Sequence, residues 1–359
     1  MVYISVRGRL LMEAEAANMV ESVGNYVKHR RIPVIARRGG DYVTFMVPAI
    51  SGESVAHAYQ QLLAQEMSAV KEPVCKYCAQ GIFLKNTNES VLKESGVLDE
   101  KGLAGIEKPK DAKGKDVNGD LRRAELLEAS IIRNCAVEDV GGFLYAGDPN
   151  VKRTSLFSTG YMTPVLEALS ESSLDPQFHS RYALGTKYVE GGKKDEASGQ
   201  MIYYVEVGSA VYGFSFDLDT RFVGRHTYVH DKYGQLVEGM TEQRVDLRSL
   251  AAVDALERML VEWPVGAKKT RFNPQSSWES VVVAVSRDVW TVPSPLTMSY
   301  VRRAAAKLKK INHGTKVAAY CEGGCDSAAE GLEFLGSPEE LAAWMVETSK
   351  GIVEGKPGT

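Results

Sequence analysis

Long apolar runs are missing from this 359-residue sequence. No run reaches the roughly 18 residues that a membrane helix needs, which excludes an integral membrane protein with helical spans. The first residues, MVYISVRGRLL, alternate like a strand and lack the apolar block and cleavage site of a signal peptide, so a cytoplasmic protein is expected. Hydrophobic residues make up 44% and charged residues 25%, which indicates a globular chain and excludes disordered, collagenous and coiled-coil proteins.

Several short catalytic motifs are also absent. The sequence contains no GxxxxGK[ST] phosphate loop, no GxGxxG, no GxSxG and no HExxH. Most kinase, dehydrogenase and hydrolase interpretations therefore lose their simplest support. The sequence has no internal repeat, and its elements do not follow the regular strand–helix alternation of a doubly wound fold.

The net charge of −3 shows no global excess of one sign, but the charges are unevenly distributed. Residues 322–359 carry −6, so residues 1–321 carry +3. Positive residues cluster in three windows without acidic residues, at 22–40, 263–278 and 289–321. A basic run by itself usually marks only a solvated face, whereas three such windows together are typical of a surface that binds a polyanion.

The pattern of apolar residues predicts an α+β fold with a mostly antiparallel sheet. Alternation predicts a strand over 2–13, a hairpin over 32–48 and a strand over 200–216, and helical spacing after Ser51 predicts a helix with Ser51 as its N-cap. A strand–helix–strand unit near each end fits a ferredoxin-like sheet. The remaining predicted elements are a helix over 246–263, a strand over 278–286, a basic helix over 297–311, a strand over 315–321 and a helix over 338–350.

Two segments interrupt this pattern. Residues 71–130 include a polar stretch rich in Lys, Asp and Gly, which predicts an insertion with a mobile loop near 105–120. The charged, Gly-rich segment before the strand at 200–216 predicts a hairpin that projects from the body, and the hairpin at 32–48 is a second candidate for such a projection.

The five cysteines include two closely spaced pairs. CKYC, with Cys75 and Cys78, has the spacing of a zinc knuckle, and CEGGC holds Cys321 and Cys325. These four thiolates would form one zinc site if the insertion folded onto the C-terminal strand. A disulfide and free thiols remain open as alternatives.

Several segments have the composition of a nucleic-acid contact. The helix start at Ser51 and Gly52 offers backbone amides to a phosphate. The loop GAKKTRF (266–272) and the segment VKRTSLF (151–157) combine cations with an aromatic ring, and His179 lies beside Phe178. Rings of this kind stack on bases while the cations contact phosphates.

Longer blocks of the sequence carry a family resemblance. NMVESVGNYVKHRRIPVI (18–35), NVKRTSLFSTGYMTPVLEAL (150–169) and IYYVEVGSAVYGFSFDLD (202–219) resemble the archaeal type I-A CRISPR backbone subunit of the seventh Cas protein family, also called the DevR-type CRISPR-associated autoregulator. The match runs in order from about residue 2 to 290, leaving out 85–125.

The resemblance implies an RRM-like (ferredoxin-like) palm with an antiparallel sheet, a helical or loop insertion and a protruding β-hairpin thumb. Transferred to this chain, these parts are a palm of residues 1–70, 131–176 and 208–350, an inserted domain of 71–130, a thumb of 177–207 with its tip at 191–199, and a flexible tail of 351–359.

The resemblance also implies a function without catalysis or cofactor. Copies of such a subunit bind one guide RNA (crRNA) side by side and form the helical backbone of the antiviral Cascade complex. The implied partners are the guide RNA, further copies of the same chain, the Cascade cap subunit and small subunit, and target DNA reached through the guide. No membrane is involved.

The resemblance and the basic segments together predict the RNA-binding residues. They are Asn25, His29, Arg30, Arg31, Ser51, Gly52, Lys152, Arg153, Thr154, Ser155, Phe178, His179, Lys268, Lys269, Arg271 and Phe272. One alternative is a RAMP-type guide-RNA processing ribonuclease in which His179 or His29 acts as general base. Two others are a sequence-specific DNA-binding repressor and a scaffold that binds no nucleic acid.

Overall fold

The computed structural model describes most of the chain. The described residues are 1–17, 19–99, 101, 119–182, 200–266, 272–325 and 329–355. Within these ranges, no helix combines the length and the hydrophobicity that crossing a bilayer requires.

Among the described residues, five strands open the chain, five helices and six strands follow, and three helices and three strands are then interleaved. In chain order, the strands are β1 (Tyr3–Glu15), β2 (Met19–Val23), β3 (Tyr26–His29), β4 (Arg31–Arg38), β5 (Asp41–Pro48), β6 (Phe143–Tyr145), β7 (Val151–Arg153), β8 (Phe157–Thr159), β9 (Thr163–Pro164), β10 (Ser173–Tyr182), β11 (Gln200–Asp219), β12 (Gln275–Ser286), β13 (Lys316–Cys321) and β14 (Glu333–Phe334). The helices are α1 (Gly52–Ala69), α2 (Lys76–Ala79), α3 (Glu89–Glu94), α4 (Gly119–Asn134), α5 (Ala136–Gly141), α6 (Glu242–Glu262), α7 (Tyr300–Lys310) and α8 (Pro338–Val353).

A mostly antiparallel sheet forms the centre of the molecule. Its strand order is β14-β13-β12-β1-β11-β3-β2, and β8, β9 and β10 also pair with β11. The first strand lies between β12 and β11 and is antiparallel to both, with Val6 opposite Phe216 on one side and Val283 on the other. Because β1 is buried along nearly its whole length, its apolar residues lie at the centre of the core.

Helices cover both faces of the sheet around β12. Val281 and Val283 belong to the main core, which includes residues of α1, α6 and α8, whereas Val282 and Ala284 pack with Tyr300 and its neighbours on α7. A strand buried on both faces reads as a continuous apolar run, which is how the segment VVVAV appears in the sequence.

One aromatic contact ties α1 to both α6 and the sheet. The hydroxyl of Tyr59 donates to the Ala252 carbonyl at 2.9 Å, and its ring packs edge-on against Phe157 and Phe216 with centroids 4.8 Å apart in each case. Helices α1 and α6 therefore lie side by side in one layer of the main core.

The structure confirms the predicted mixed fold and most of its elements. The first strand, the hairpin of β4 and β5, the helix capped by Ser51, and the elements β11, α6, β12, α7, β13 and α8 lie where the pattern places them, with shifts of a few residues at their ends. Strands β2, β3, β6, β7, β8, β9 and β14 were not predicted. The segment predicted as an insertion contains α2, α3 and most of α4, and the predicted loop at 105–120 lies almost wholly outside the described residues.

The predicted projecting hairpin corresponds to β10 and β11. These strands pair antiparallel from Ser173 opposite Ser209 to Tyr182 opposite Gln200. The tip predicted at 191–199 lies outside the described residues.

Candidate nucleic-acid interface

A cleft of about 390 Å³ opens at the start of α1. Arg30, Ser51 and Gly266 line it, together with residues of the first turns of α1. The cleft therefore brings together the first basic window, the predicted helix start and the segment that leads directly into the Lys268–Phe272 loop. Lys268, Lys269 and Arg271 themselves lie outside the described residues.

Local contacts determine where α1 begins. The hydroxyl of Ser51 accepts a hydrogen bond from the Ser54 backbone N–H at 3.3 Å, which satisfies one of the free amides of the first turn. A Cβ at Gly52 would lie 2.8 Å from the Thr159 carbonyl oxygen. The glycine therefore allows β8 to approach the helix, so the space beside Gly52 is taken by the chain's own backbone.

Arg30 places its cation in the cleft beside an aromatic ring. Its Nη1 donates to the Tyr161 hydroxyl at 3.1 Å, and the guanidinium carbon lies 5.7 Å from the centre of that ring. Its buried Nε has no hydrogen-bond acceptor among the described residues. This arrangement holds the guanidinium beside the ring at the wall of the cleft.

Two neighbouring predicted residues join β3 and β4 to β11. The side-chain amide of the exposed Asn25 donates to the Ile202 carbonyl at 3.1 Å. Arg31, whose side chain is half exposed, donates to Glu206 at 2.8 Å. Burial raises the pKa of Glu206, but hydrogen bonds from the His29 backbone, Tyr26 and Arg31 outweigh it and keep this pKa below its ordinary value.

His29 and Arg153 do not reach the surface, which corrects their prediction as RNA contacts. Neither side chain is exposed to solvent. His29 Nε2 lies 2.6 Å from Glu15 Oε1, and Nη2 of Arg153 donates to Asp139 Oδ1 at 2.6 Å. Arg153 also donates to the Phe222 carbonyl at 2.7 Å. Both side chains satisfy buried acceptors, so their contribution is structural.

A second cleft, of about 420 Å³, lies beside β7. Lys152, Thr154 and Ser155 line it, as the sequence pattern of a phosphate contact requires. Its other wall is aromatic: the rings of Phe222 and Tyr233 lie 5.4 Å apart. Sequence reasoning did not identify these two rings, since they lie more than 60 residues further along the chain.

A third group of rings lies on the β10–β11 hairpin. His179 stacks on Tyr203 with centroids 5.3 Å apart and meets Phe272 edge-on at 5.1 Å. The neighbouring Phe178 is 55% exposed and packs edge-on against Tyr204. The structure thus brings Phe272 of the basic loop to the hairpin, and Nε2 of His179 is buried without a hydrogen-bond partner among the described residues.

The predicted four-cysteine zinc site is wrong. Cys321 and Cys325 form a disulfide, with Cα atoms 5.0 Å apart. Cys75 and Cys78 instead lie beside Cys135, and these three thiols are free and buried. A sulfur in a disulfide is no longer a thiolate ligand, so the two pairs do not share one ion.

Comparison with known proteins agrees with the resemblance seen in the sequence. Residues 6–305 match the family described as CRISPR-associated negative auto-regulator DevR/Csa2. The CRISPR-associated aCascade subunit Cas7/Csa2 2 of Saccharolobus solfataricus is 33% identical over 354 residues, which cover 96% of this chain and 99% of that protein. The CRISPR-associated protein Cas7/Csa2 1 of the same organism is 34% identical over 298 residues, which cover 82% of each chain.

The fold is also similar to that of a solved structure. A chain in a CRISPR RNA-guided surveillance complex, in its pre-nicking state, aligns with a TM-score of 0.51 and 11% identity, covering 97% of this chain and 100% of that one. This similarity concerns the fold alone. The family match over most of the chain and the identity to full-length relatives carry the assignment: the chain belongs to the DevR/Csa2 family of CRISPR-associated proteins, whose members are also called Cas7/Csa2.

Proposed function

We propose that this chain is a non-catalytic guide-RNA (crRNA) binding protein of the cytoplasm. Copies of it assemble along the RNA and form the helical backbone of a type I-A Cascade complex in antiviral defence. Membership of the Cas7/Csa2 family supports this function, and the S. solfataricus relative is named as an aCascade subunit.

The observation that carries the proposal is the cleft at the start of α1. It combines a fixed arginine, a helix start and the entrance to a loop with three cations. These groups neutralise phosphates without reading base edges. Such binding suits a guide whose sequence differs from one RNA to the next.

The second cleft adds a stacking surface to a phosphate contact. Tyr233 is 59% exposed beside Phe222, and Lys152 lies across the same cleft. Base–aromatic stacking contributes about 1–3 kcal/mol per base and tolerates any sequence. The ring group of Phe178, His179 and Phe272 offers the same chemistry on the hairpin.

The strand order supports an RRM-like palm and a hairpin thumb. Strands β12, β1 and β11, with β8 and β9 on the far side of β11, follow the order of a ferredoxin-like sheet, and α1 and α6 are its two crossover helices. The β10–β11 hairpin then extends into the thumb at 177–207, and residues 71–130 form the inserted domain. The tail predicted at 351–359 instead begins after α8, which continues to Val353.

Assembly follows from binding of several copies to one RNA. Each subunit needs only modest affinity, because neighbours on the same strand add avidity. A near-neutral chain also limits repulsion between adjacent copies before RNA arrives. The expected partners are the Cascade cap subunit and small subunit, and target DNA is contacted through the guide.

A direct test begins with the protein expressed alone. The ratio of absorbance at 260 and 280 nm and the size of any extracted nucleic acid should reveal protected RNA, in oligomers whose size follows RNA length. Arg30→Ala should weaken binding of labelled repeat RNA and reduce the salt slope of log K by about 0.7 if one phosphate contact is lost. Arg287→Ala, which removes an exposed arginine outside both clefts and outside the three basic windows, is the matched control.

Other outcomes would contradict the proposal. A monomer that does not bind added guide RNA, or equal losses of affinity in Arg30→Ala and Arg287→Ala, argues against the cleft as the RNA site. Cleavage of repeat RNA by the isolated protein would instead favour the RAMP-type ribonuclease. His29 is a poor general base for that reaction since it is buried against Glu15, so the ribonuclease alternative depends on His179.

A further inference from the structure

Three buried cysteines meet beneath the insertion, away from both clefts. Cys75 precedes α2, Cys78 lies within α2, and Cys135 lies between α4 and α5. Their sulfur atoms all lie within 4.8 Å of one another, and the residues are 5%, 1% and 0% exposed. In tetrahedral coordination with zinc–sulfur bonds of about 2.3 Å, two sulfurs are about 3.8 Å apart. The cluster therefore needs little movement to surround one ion.

The backbone holds the two segments of the cluster together. The Ala136 N–H donates to the Pro73 carbonyl at 2.8 Å, and the Cys75 N–H points to the sulfur of Cys135 at 3.5 Å. Backbone N–H groups directed at sulfur stabilise a thiolate. The site is therefore organised by contacts that do not depend on an ion.

A buried carboxylate and a partly buried ammonium lie beside the thiols. Glu138, three residues after Cys135, is 3% exposed and accepts a hydrogen bond from the Asn86 side-chain amide. Lys85 donates to the Gly141 carbonyl at 2.8 Å and interacts electrostatically with Cys78, Cys135 and Glu138. The Lys85 cation therefore lies beside the anions that the site would hold.

We propose that Cys75, Cys78 and Cys135 bind one zinc ion through their three sulfurs, with a water molecule in the fourth position of the tetrahedron. Three thiolates leave an excess of one negative charge around a dication, and the Lys85 ammonium offsets it. Its ligands bracket residues 79–134, so the ion fastens the two ends of the helical insertion to each other.

The test measures metal in the reduced, full-length chain. After chelation and incubation with Zn²⁺, elemental analysis of the desalted protein should give one zinc per chain. Cys78→Ser and Cys135→Ser should each lose it, whereas the double variant Cys321→Ser/Cys325→Ser should retain it.

A second measurement avoids variants that fail to fold. Co²⁺ added to the wild-type chain should give the intense visible bands of a tetrahedral site and the ultraviolet charge-transfer band of cobalt–thiolate bonds. Zn²⁺ should also slow proteolysis within residues 79–134. Three alkylatable thiols in a folded chain that takes up neither metal would overturn the proposal, as would a disulfide among these cysteines that forms in place of zinc uptake.

Discussion

Nε2 of His29 lies 2.6 Å from Oε1 of Glu15, and neither side chain is exposed to solvent. Glu15 also accepts a hydrogen bond from the Tyr212 hydroxyl at 2.8 Å. The pair therefore fastens the end of β1 to β3 and β11. A histidine from the most basic window of the N-terminal region belongs to the interior, while its neighbour Arg30 lines the cleft.

Loss of the His29–Glu15 pair should destabilise the fold in a pH-dependent way. Burial lowers the pKa of His29, but the hydrogen bond and charge of Glu15 outweigh it, so this pKa lies above its ordinary value of 6.5. The resulting stability is fully present below the unfolded-state pKa and is lost as pH rises through the folded-state pKa. His29→Gln should therefore lower the free energy of unfolding by about 3–5 kcal/mol at mildly acidic pH, and by less at alkaline pH.

Urea unfolding at several pH values measures this difference. His230→Ala is the control, because the His230 side chain is fully exposed and its loss should leave stability unchanged. A His29→Gln effect that stays constant with pH would contradict an ionised pair.

Substitution by alanine should affect RNA binding at Lys152 and protein stability at Arg153. They alternate along β7, so Lys152 faces the second cleft while Arg153 faces Asp139 inside the protein. Lys152→Ala should weaken guide-RNA binding and leave the unfolding free energy within about 0.5 kcal/mol of wild type. Arg153→Ala should lower the unfolding free energy by about 3 kcal/mol, because it breaks a buried ion pair with Asp139. The loss lies at the lower end for a broken buried pair, since Arg248 still contacts Asp139 at 2.9 Å.

RNA-binding titrations and denaturant unfolding on both variants decide this prediction. If Lys152→Ala destabilised the chain, or if Arg153→Ala remained as stable as wild type, the burial assigned to these two side chains would be wrong. Tyr233→Ala offers a separate check of the same cleft, with an expected loss of about 1–3 kcal/mol in binding.

Gly52→Ala should destabilise the start of α1. The added Cβ would meet the Thr159 carbonyl oxygen at 2.8 Å, and a backbone atom cannot move aside as a flexible side chain does. The expected loss in the free energy of unfolding is about 1–3 kcal/mol.

Gly351→Ala in α8 is the matched control, since nothing lies within 4 Å of the added Cβ. Removal of a helical glycine there should raise the free energy of unfolding by about 0.5–1 kcal/mol. Thermal unfolding of both variants compares the two; equal shifts would show that β8 yields to the added methyl group.

Elements with a clear local period were predictable, and elements formed by distant pairing were not. The alternation along β11 and the Ser51 cap of α1 depend on residues close together in the chain. Strands β2 and β3 are short, with five and four residues. They pair with each other, and β3 joins the sheet because Tyr26 and Val27 pair with Tyr204 and Val205 of β11. No local pattern encodes a pairing across almost 180 residues.

The same contrast between local sequence patterns and distant contacts applies to the candidate site. Composition alone identified the basic windows, and the predictions for Asn25, Arg31 and the Lys268–Phe272 loop remain predictions. The spacing of the cysteines did not identify which of them lie together. It suggested that CKYC and CEGGC share one site. In the structure, Cys135 lies beside Cys75, and Cys321 forms a disulfide with Cys325.

The sequence by itself determined the class of fold, the family and the segments that carry positive charge. Only the tertiary structure decided which of those charges face solvent, which thiols meet and which rings line the clefts. The physical reason is the separation of interacting residues along the chain. Periodicity and helix caps arise between near neighbours, whereas burial depends on partners further away. Examples are Glu15 for His29, Asp139 for Arg153 and Cys135 for Cys75. These partners lie 14 or 60 residues away, and folding alone brings them together.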